Sequence, residues 1–260
     1  MLNLRLTLES GQTFIYYTID EMIVIINGND VMMLTDDLKM FESYNDNIKK
    51  FFRLDDDIEL INSSINKDKI IGEAISHFKG LRILRQDPFQ ALISFICSSN
   101  TSIRNIKMML NNLVNRFGER IEWNGYEFRL FPSVDRLARA EIDELRSCGL
   151  GFRAVYVRDA SKMVLNMLDF EELKSMDYNE AKAHLMILKG VGDKIADCVL
   201  LFALEHLESF PIDRWIWRIL SSYGLDTKNY KIASENMRSY FGRYAGYAQQ
   251  YLYCYARMFY

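Results

Sequence analysis

Cysteine, histidine and proline are all scarce in this sequence of 260 residues. The cysteines include no C-x-x-C pair and no Cys/His cluster with metal-ligand spacing, which gives no basis for a zinc or iron–sulfur motif and favours a reducing environment. The three histidines are scattered, so a Ser-His-Asp site has no visible basis either. We therefore expect no metal and no required cofactor. The residues concerned are Cys97, Cys148, Cys198, Cys254, His77, His184 and His206.

Long apolar runs are missing as well. No stretch reaches the roughly eighteen consecutive apolar residues of a membrane span, and the first residues lack the basic start and apolar centre of a signal peptide. With 49% apolar residues, 13% aromatics and three prolines, the chain is typical of an ordered globular protein. The Lys-, Asn- and Ile-rich composition without a targeting signal predicts a prokaryotic cytoplasmic protein. We expect a monomer with no membrane contact.

The chain has no surplus of positive charge, because its net charge is −3. Residues 1–70 contain 7 basic and 13 acidic residues, whereas residues 71–260 contain 25 and 22. This balance is too weak for strong non-specific binding to nucleic acid. A nucleic-acid partner would have to be held by individually placed groups and helix ends, and an ordinary mildly acidic enzyme explains the total equally well.

Strand patterns dominate the first part of the chain. A half-buried strand is predicted by the alternation of polar residues with Leu2, Leu4, Leu6 and Leu8. Residues 22–26 then lead into Asn27-Gly28, a strong hairpin signal, and residues 31–33 are predicted to form the second strand of that hairpin. The acidic residues 35–60, with interleaved aromatics, predict one amphipathic helix, with Asp55-Asp56-Asp57 as a solvated start to the next element.

Helix signals take over from about Ile70 onward. Asp87-Pro88 is a helix cap followed by proline at the first helical position. Ser98-Ser99-Asn100-Thr101 interrupts that helix and caps the next one, through Phe117, and Ser133 caps another toward Cys148. The predicted fold class is α+β. An N-terminal antiparallel β-sheet domain with helices, over residues 1–75, precedes an α-helical domain over residues 76–260.

The clearest motif lies within residues 183–220. A helical run stops at Lys189-Gly190-Val191-Gly192, a second begins at Asp193, and Pro211-Ile212-Asp213 opens a third. Glycines on both sides of one small apolar residue allow a tight reversal. The start of the second helix then offers free backbone N–H groups to a phosphate. This spacing predicts a DNA-binding helix–hairpin–helix at about residues 180–205.

Lys194 lies in the first turn of the second helix of this motif, and Asp213 lies at the start of the third. A partly buried lysine at a helix N-terminus loses some of its preference for the charged form, and the neutral amine is a nucleophile. It can attack the sugar of a nucleoside, expel the base and form a Schiff base, which permits strand cleavage by β-elimination. An ionised Asp213 would stabilise the positive charge on the sugar. Taken alone, the two residues could be a phosphate contact and a helix cap, but beside the Gly-Val-Gly hairpin we favour catalysis.

Two further segments carry weaker signals. Gly149-Leu150-Gly151 echoes the hairpin, with Arg153 in the place of the lysine, although a glycine-capped helix end explains it equally well. The tyrosine-rich residues 240–260 form a predicted helix with Gln249. Aromatic stripes of this kind usually pack in a core, but a glutamine among them could read a base.

Residues 188–198 and 210–213 together resemble the helix–hairpin–helix/Gly-Pro-Asp superfamily of base-excision glycosylases. Within it, the sequence is similar to the 8-oxoguanine DNA glycosylase/AP lyase family in four further blocks, at residues 10–14, 84–100, 149–157 and 244–249. The resemblance implies a bifunctional enzyme that removes 8-oxoguanine from double-stranded DNA, preferably opposite cytosine. It implies Lys194 as the Schiff-base nucleophile and Asp213 as its acidic partner.

The resemblance also implies how the base and the duplex are bound. The Gly11 carbonyl would accept the N7 hydrogen that distinguishes 8-oxoguanine from guanine, and Gln249 would read the Watson–Crick edge. Cys198 and Tyr253 would sandwich the ring, with Pro211 beside them. Asn100 and Phe152 would fill the gap left in the duplex, and Arg153 would bond to the orphaned cytosine. The implied DNA contacts are Asn100, Phe152, Arg153, Gly190, Val191, Gly192 and Trp215.

Three positions depart from the family pattern. Trp215 replaces a common phosphate-contacting histidine, and Ala256 replaces the aspartate that orients it. Asn105 replaces a second arginine that pairs with cytosine, so looser opposite-base selectivity is expected. The alternatives are a glycosylase for another oxidised or alkylated base, or a non-catalytic helix–hairpin–helix DNA-binding protein. The hairpin carbonyls could also coordinate a monovalent cation.

Overall fold

A computed structural model of the protein describes residues 2–35, 46–123 and 125–260. Three antiparallel strands form the N-terminal sheet in the order β1-β2-β3: β1 (Tyr16–Ile19), β2 (Met22–Asn27) and β3 (Asp30–Thr35). Asn27 pairs with Asp30 across the turn. The predicted antiparallel sheet and its Asn-Gly hairpin are therefore confirmed.

The apolar run of β2 is continuous because the sheet is covered on both faces. Val24 and Ile26 pack into the core that extends through the helical part of the chain. Ile23 and Ile25 point the other way, into a smaller core with the N-terminal leucines. Successive strand residues face opposite sides of a sheet, so both sets must be apolar when neither side meets water.

The predicted first strand is wrong, because its leucines lie on α1 (Leu4–Glu9). The Asn3 side chain caps this helix by accepting a hydrogen bond from the Leu6 backbone N–H at 3.1 Å. Leu4 and Leu8, one helical turn apart, are both buried, whereas Leu6 is only partly buried. Residues that alternate with a period of two also include pairs at i and i+4, which share one face of a helix. The alternation therefore fits a strand or a helix, and the Asn3 cap selects the helix.

The predicted single helix over residues 35–60 is wrong in the part that the structure describes; residues 36–45 lie outside it. Helix α2 ends at Phe51, and α3 begins at Ile58, capped by the Asp57 side chain. Between them, Arg53 has a φ of +49°. This left-handed backbone cannot continue an α-helix.

The remaining helices form an α-helical domain with one short hairpin, β4 (Arg120–Trp123) with β5 (Tyr126–Arg129), which the sequence patterns did not indicate. Asp87 and Ser133 cap helices as predicted, but the helix after Ser133 ends at Arg139. The α-helices of the described residues are α1 (Leu4–Glu9), α2 (Asp46–Phe51), α3 (Ile58–Ile65), α4 (Lys69–His77), α5 (Pro88–Cys97), α6 (Ile103–Phe117), α7 (Val134–Arg139), α8 (Ile142–Leu145), α9 (Arg153–Asn166), α10 (Phe170–Ser175), α11 (Tyr178–Met186), α12 (Asp193–Ala203), α13 (Arg214–Leu220), α14 (Tyr230–Phe241) and α15 (Ala245–Phe259). The α+β fold class is thereby confirmed.

The loop between α1 and β1 is fixed to the helical domain by buried amides. The Gln12 side chain donates to the Arg82 carbonyl at 2.7 Å and accepts from the Leu84 N–H at 2.9 Å. Gln250, on α15, donates to the Ser10 carbonyl at 2.7 Å. Buried amides that satisfy several backbone groups hold a loop in one conformation. Residues 10–12 are therefore held rigidly against α15.

Within the described ranges, no helix is long and apolar enough to cross a membrane. In the same part of the chain, no group of three or more His, Cys, Asp or Glu side chains could hold a metal ion.

Candidate active site

A cleft of about 1180 Å³ opens where the loop after α1 meets the helical domain. Its walls contain residues from that loop, the end of α5, α12, the start of α13 and α15. Eleven of the predicted site residues line it: Gly11, Asn100, Gly190, Gly192, Lys194, Cys198, Pro211, Asp213, Trp215, Gln249 and Tyr253. Val191, Phe152 and Arg153 are not among the lining residues.

The hairpin between α11 and α12 has the geometry that its glycines predict. Gly190 has a φ of +86°, and a Cβ built there would lie 2.5 Å from the ring of Tyr156. Only glycine fits both constraints. Gly192 is the N-cap of α12, and Val191 between the two glycines is buried. Val191 therefore anchors the hairpin in the core.

Lys194 is the second residue of α12 and points toward the end of α5. Its Nζ lies 3.4 Å from the Ser98 hydroxyl and 5.4 Å from the centre of the Phe95 ring. Cys198, one turn further along the helix, is buried, and this burial raises the pKa of its thiol to about 11, although Lys194 opposes the shift. The thiol is consequently neutral near pH 7 and presents a soft apolar surface to the cleft.

Asp213 caps α13. Its Oδ1 accepts hydrogen bonds from the backbone N–H groups of Trp215 and Ile216, both at 2.9 Å. Because one oxygen accepts both bonds, the second oxygen of this partly buried carboxylate is not used in capping. Trp215 lies under two guanidinium groups, those of Arg214 at 4.9 Å and Arg218 at 4.5 Å from its ring. Both arginines make cation–π contacts with this ring, and Arg214 lines the cleft.

Gln249, on α15, is 4% exposed, and only one of the two polar atoms of its side-chain amide has a hydrogen-bond partner among the described residues. Its Nε2 donates to the Pro211 carbonyl at 3.0 Å, while its Oε1 is buried and has no hydrogen-bond partner among the residues that the structure describes. The Pro211 carbonyl can only accept, so it sets the orientation of the amide. The cleft wall therefore contains an acceptor that lacks a donor.

Gly11 and Tyr253 face each other closely. Gly11 has a φ of +78°, and a Cβ built there would lie 2.8 Å from the Tyr253 hydroxyl oxygen. Burial raises the pKa of Tyr253 to about 12, so this hydroxyl stays protonated near neutral pH. The Arg257 guanidinium lies 5.4 Å from the Tyr253 ring. A flat aromatic ring thus forms the wall beside the Gly11 backbone.

Three of the predicted duplex contacts, Asn100, Phe152 and Arg153, lie close together on two neighbouring segments. Asn100 is exposed with a φ of +48°, and Phe152 is 56% exposed. Arg153 is 8% exposed, stacks on Phe152 at 4.5 Å and donates to the carbonyls of Ser99, Asn100 and Leu150. Arg153 therefore ties the loop of Asn100 to the loop of Phe152. The pattern Gly149-Leu150-Gly151 did not indicate this bonding, because it depends on a residue distant in sequence.

Two family models together cover most of the chain. A model described as "HhH-GPD superfamily base excision DNA repair protein" matches residues 93–242. A second, for the N-terminal domain of 8-oxoguanine DNA glycosylase, matches residues 1–92. The chain belongs to the HhH-GPD superfamily of base excision DNA repair proteins. Within it, the chain belongs to the 8-oxoguanine DNA glycosylase family.

Named relatives agree with this assignment. A "Probable N-glycosylase/DNA lyase" of Methanothermobacter thermautotrophicus is 34% identical over 81% of the chain and 74% of the relative. The "N-glycosylase/DNA lyase OGG1" of Arabidopsis thaliana is 36% identical over 75% of the chain, which spans only 57% of that relative. A solved Clostridium acetobutylicum 8-oxoguanine glycosylase/lyase, in complex with DNA containing cytosine opposite 8-oxoguanine, superposes with a TM-score of 0.87 at 31% identity. The match covers 99% of this chain and 92% of that one.

Proposed function

We propose that the protein is a bifunctional DNA glycosylase/AP lyase that excises 8-oxoguanine from double-stranded DNA, preferably opposite cytosine. The observation that supports this most directly is the composition of one cleft. It combines a lysine on a helix N-terminus and a capping aspartate with the unpaired Oε1 of Gln249 and the Gly11 backbone. The first pair suits chemistry on a sugar, and the second suits recognition of a base.

Base recognition follows from donors and acceptors. The Watson–Crick edge of a guanine-type base carries N–H donors, which the Gln249 Oε1 would accept. The Gly11 carbonyl would accept the N7 hydrogen of 8-oxoguanine, whereas guanine has a lone pair at N7 and would be repelled. Such a mismatch costs about 1–3 kcal/mol. Cys198 and Tyr253 supply the neutral surfaces that would hold the ring from both sides.

The chemical step requires the neutral amine of Lys194. Its nitrogen attacks C1′ of the nucleotide, the bond from C1′ to the base breaks, and the bonding electrons leave with the base, which takes up a proton. Asp213 stabilises the positive charge that develops on the sugar and accepts the proton released from the lysine. The C1′–nitrogen adduct opens to a Schiff base, loses a proton at C2′, and expels the 3′ phosphate by β-elimination.

The opposite base would be held by the two segments that carry Asn100, Phe152 and Arg153. Phe152 and Asn100 would enter the gap in the duplex, and Arg153 would bond to cytosine after exchanging some of its present carbonyl partners. Asn105 provides no second cation, and its side chain donates to the Thr101 hydroxyl at 3.1 Å. We therefore place the preference for cytosine on Arg153 alone, which predicts a modest preference.

A single set of assays tests this proposal. Duplexes with 8-oxoguanine opposite each of the four bases are incubated with and without borohydride, using wild type, Lys194→Gln and the control Lys189→Gln. Lys189 is exposed on the same hairpin, so its variant keeps the fold and should be trapped as a covalent complex. Lys194→Gln should release no base and form no complex, because the amide cannot form a Schiff base. Trapping of Lys194→Gln at the wild-type level would refute the mechanism.

The same assays separate the alternative functions. Excision of other lesions in a panel of duplexes, without excision of 8-oxoguanine, would indicate another glycosylase specificity. Duplex binding without nicking would indicate a non-catalytic DNA-binding protein. A monovalent cation at the hairpin carbonyls would make duplex affinity differ between potassium and tetramethylammonium chloride at equal ionic strength.

A further inference from the structure

Asp197 is a fully buried carboxylate on α12, the helix that also contains the proposed nucleophile. Its Oδ1 accepts from the Tyr178 hydroxyl at 2.5 Å, and its Oδ2 accepts from the Tyr230 hydroxyl at 2.7 Å and from the Lys182 ammonium at 3.0 Å. The Ser209 hydroxyl donates to the Asp197 backbone carbonyl at 2.9 Å. A buried charge is stable only when it is paired and fully hydrogen-bonded. Asp197 meets this condition.

Two of these partners, Ser209 and Tyr230, connect Asp197 to the segment that ends at the proposed catalytic Asp213. Ser209 lies at the start of this segment, residues 209–213. The Tyr230 hydroxyl, while donating to Asp197, accepts a hydrogen bond from the Ile212 backbone N–H at 3.1 Å. Ile212 directly precedes Asp213. The segment is thereby attached to α12 at both of its ends.

The protonation state of Tyr230 determines which group donates and which accepts in this attachment. Burial and the charge of Asp197 raise the pKa of Tyr230 well above its ordinary value, so its hydroxyl keeps its proton. The Tyr230 hydroxyl donates its proton to Asp197, and its oxygen can therefore accept a hydrogen bond from the Ile212 N–H. Burial opposes the charged form of Lys182, but attraction to Asp197 outweighs it and raises the pKa of Lys182. Lys182 therefore stays charged near neutral pH.

We propose that Asp197 and Tyr230 are positioning residues that fix residues 209–213 against α12 and so set the placement of Asp213 relative to Lys194. The inference rests on the proposed function, because it assigns a role within the same reaction. Reacting groups misplaced by about 1 Å can lose about a hundredfold in rate. A hydrogen bond directly beside Asp213 is therefore expected to affect the chemical step.

The chain offers a matched pair of variants, Tyr230→Phe and Tyr178→Phe. Each removes one tyrosine hydroxyl from Asp197, but only Tyr230 also bonds to the Ile212 N–H. The measurements are the single-turnover rate of 8-oxoguanine release and the duplex Kd. Tyr230→Phe should lower the rate by about tenfold or more, with Kd within about twofold of wild type, because the ground-state contacts with DNA remain. Tyr178→Phe should stay within about threefold of the wild-type rate.

Ser209→Ala is a second, milder variant that removes the other attachment. It should lower the same rate with Kd unchanged, and it keeps the inference testable if Tyr230→Phe does not fold. Equal rate losses in the two tyrosine variants would overturn the positioning role, as would a loss confined to Kd. If the wild type is active and neither Tyr230→Phe nor Ser209→Ala changes its rate, this inference alone is overturned. A wild type without base release or borohydride trapping would instead overturn the proposed function.

Discussion

The Gln249 Nε2 donates a hydrogen bond to the Pro211 carbonyl at 3.0 Å, while the Oε1 of the same amide is buried without a partner in the described part of the chain. Buried acceptors without partners are rare in folded proteins, and each costs about 1–3 kcal/mol. A ligand that brings N–H donors into the cleft would recover this cost. This relationship supports the proposed role of Gln249 in base recognition.

Gln249→Met should separate recognition from stability. Methionine has a similar size but cannot accept from the base, so kcat/KM for an 8-oxoguanine duplex should fall about 10–100-fold. The free energy of unfolding should change by less than about 1 kcal/mol, because the lost bond to Pro211 is offset by removal of the unpaired oxygen. Single-turnover kinetics and urea denaturation measure the two quantities. Loss of stability with retained activity would contradict this assignment.

Gly11→Ala tests the closeness of Gly11 to Tyr253. An alanine there must adopt a φ of +78° and place its Cβ 2.8 Å from the Tyr253 hydroxyl. Gly125 provides a control, since it has the same φ of +78°, and among the described residues no atom lies within 4 Å of a Cβ built there. Both variants should lose about 1–2 kcal/mol from the left-handed backbone. Only Gly11→Ala should also abolish most base excision.

A similar loss of excision in Gly125→Ala would show that general destabilisation, and not the shape of the cleft, is responsible. Thermal unfolding of both variants, together with a nicking assay, provides the comparison.

Arg214→Gln should weaken the binding of duplex DNA by removing one positive charge beside the cleft. In the described part of the chain Arg214 is exposed and has no ion-pair partner, and it is held over the Trp215 ring beside the cleft. An arginine in this position is suited to a backbone phosphate. The slope of log Kd against log salt should become smaller by about 1 in Arg214→Gln.

Arg218→Gln is the matched control for this experiment. Arg218 stacks on the same ring but donates to the Tyr260 carbonyl and does not line the cleft. Its removal should leave the salt slope unchanged. Equal slopes in wild type and Arg214→Gln would exclude the phosphate contact.

His206 should give the protein a stability that depends on pH between about 6 and 8. Burial opposes its charged form, but the Glu208 carboxylate and the Leu173 carbonyl raise its pKa above 6.5. A raised folded-state pKa means that the contribution is fully present below the pKa of the unfolded state and is lost as the pH rises through the folded-state pKa. The stability advantage of wild type over His206→Gln should therefore be larger at pH 6 than at pH 8.

Thermal unfolding at several pH values measures this difference. Glu208→Gln should show the same reduced pH dependence, because the charged histidine then lacks its partner. An advantage that grows with rising pH would contradict the assigned direction.

Local sequence was sufficient for much of the site. The glycines of the hairpin, the Asn-Gly turn and the Asp87 and Ser133 caps act within a few residues, so their patterns predicted the observed structure. The N-terminal leucines show where this reasoning fails. Their spacing fits a strand and a helix face equally, and the Asn3 cap together with burial of Leu4 and Leu8 selects the helix.

The sequence by itself determined the helix–hairpin–helix, the position of Lys194 on its second helix and the position of Asp213 at the start of the next helix. Only the tertiary structure decided which groups have partners. The Gln249 amide donates to the carbonyl of a proline 38 residues away, and the Arg153 guanidinium donates to a carbonyl 54 residues away. Asp197 is satisfied by tyrosines from two other helices. The reason is physical: a hydrogen-bond partner that is distant in the chain leaves no local pattern, because only burial brings the two groups together.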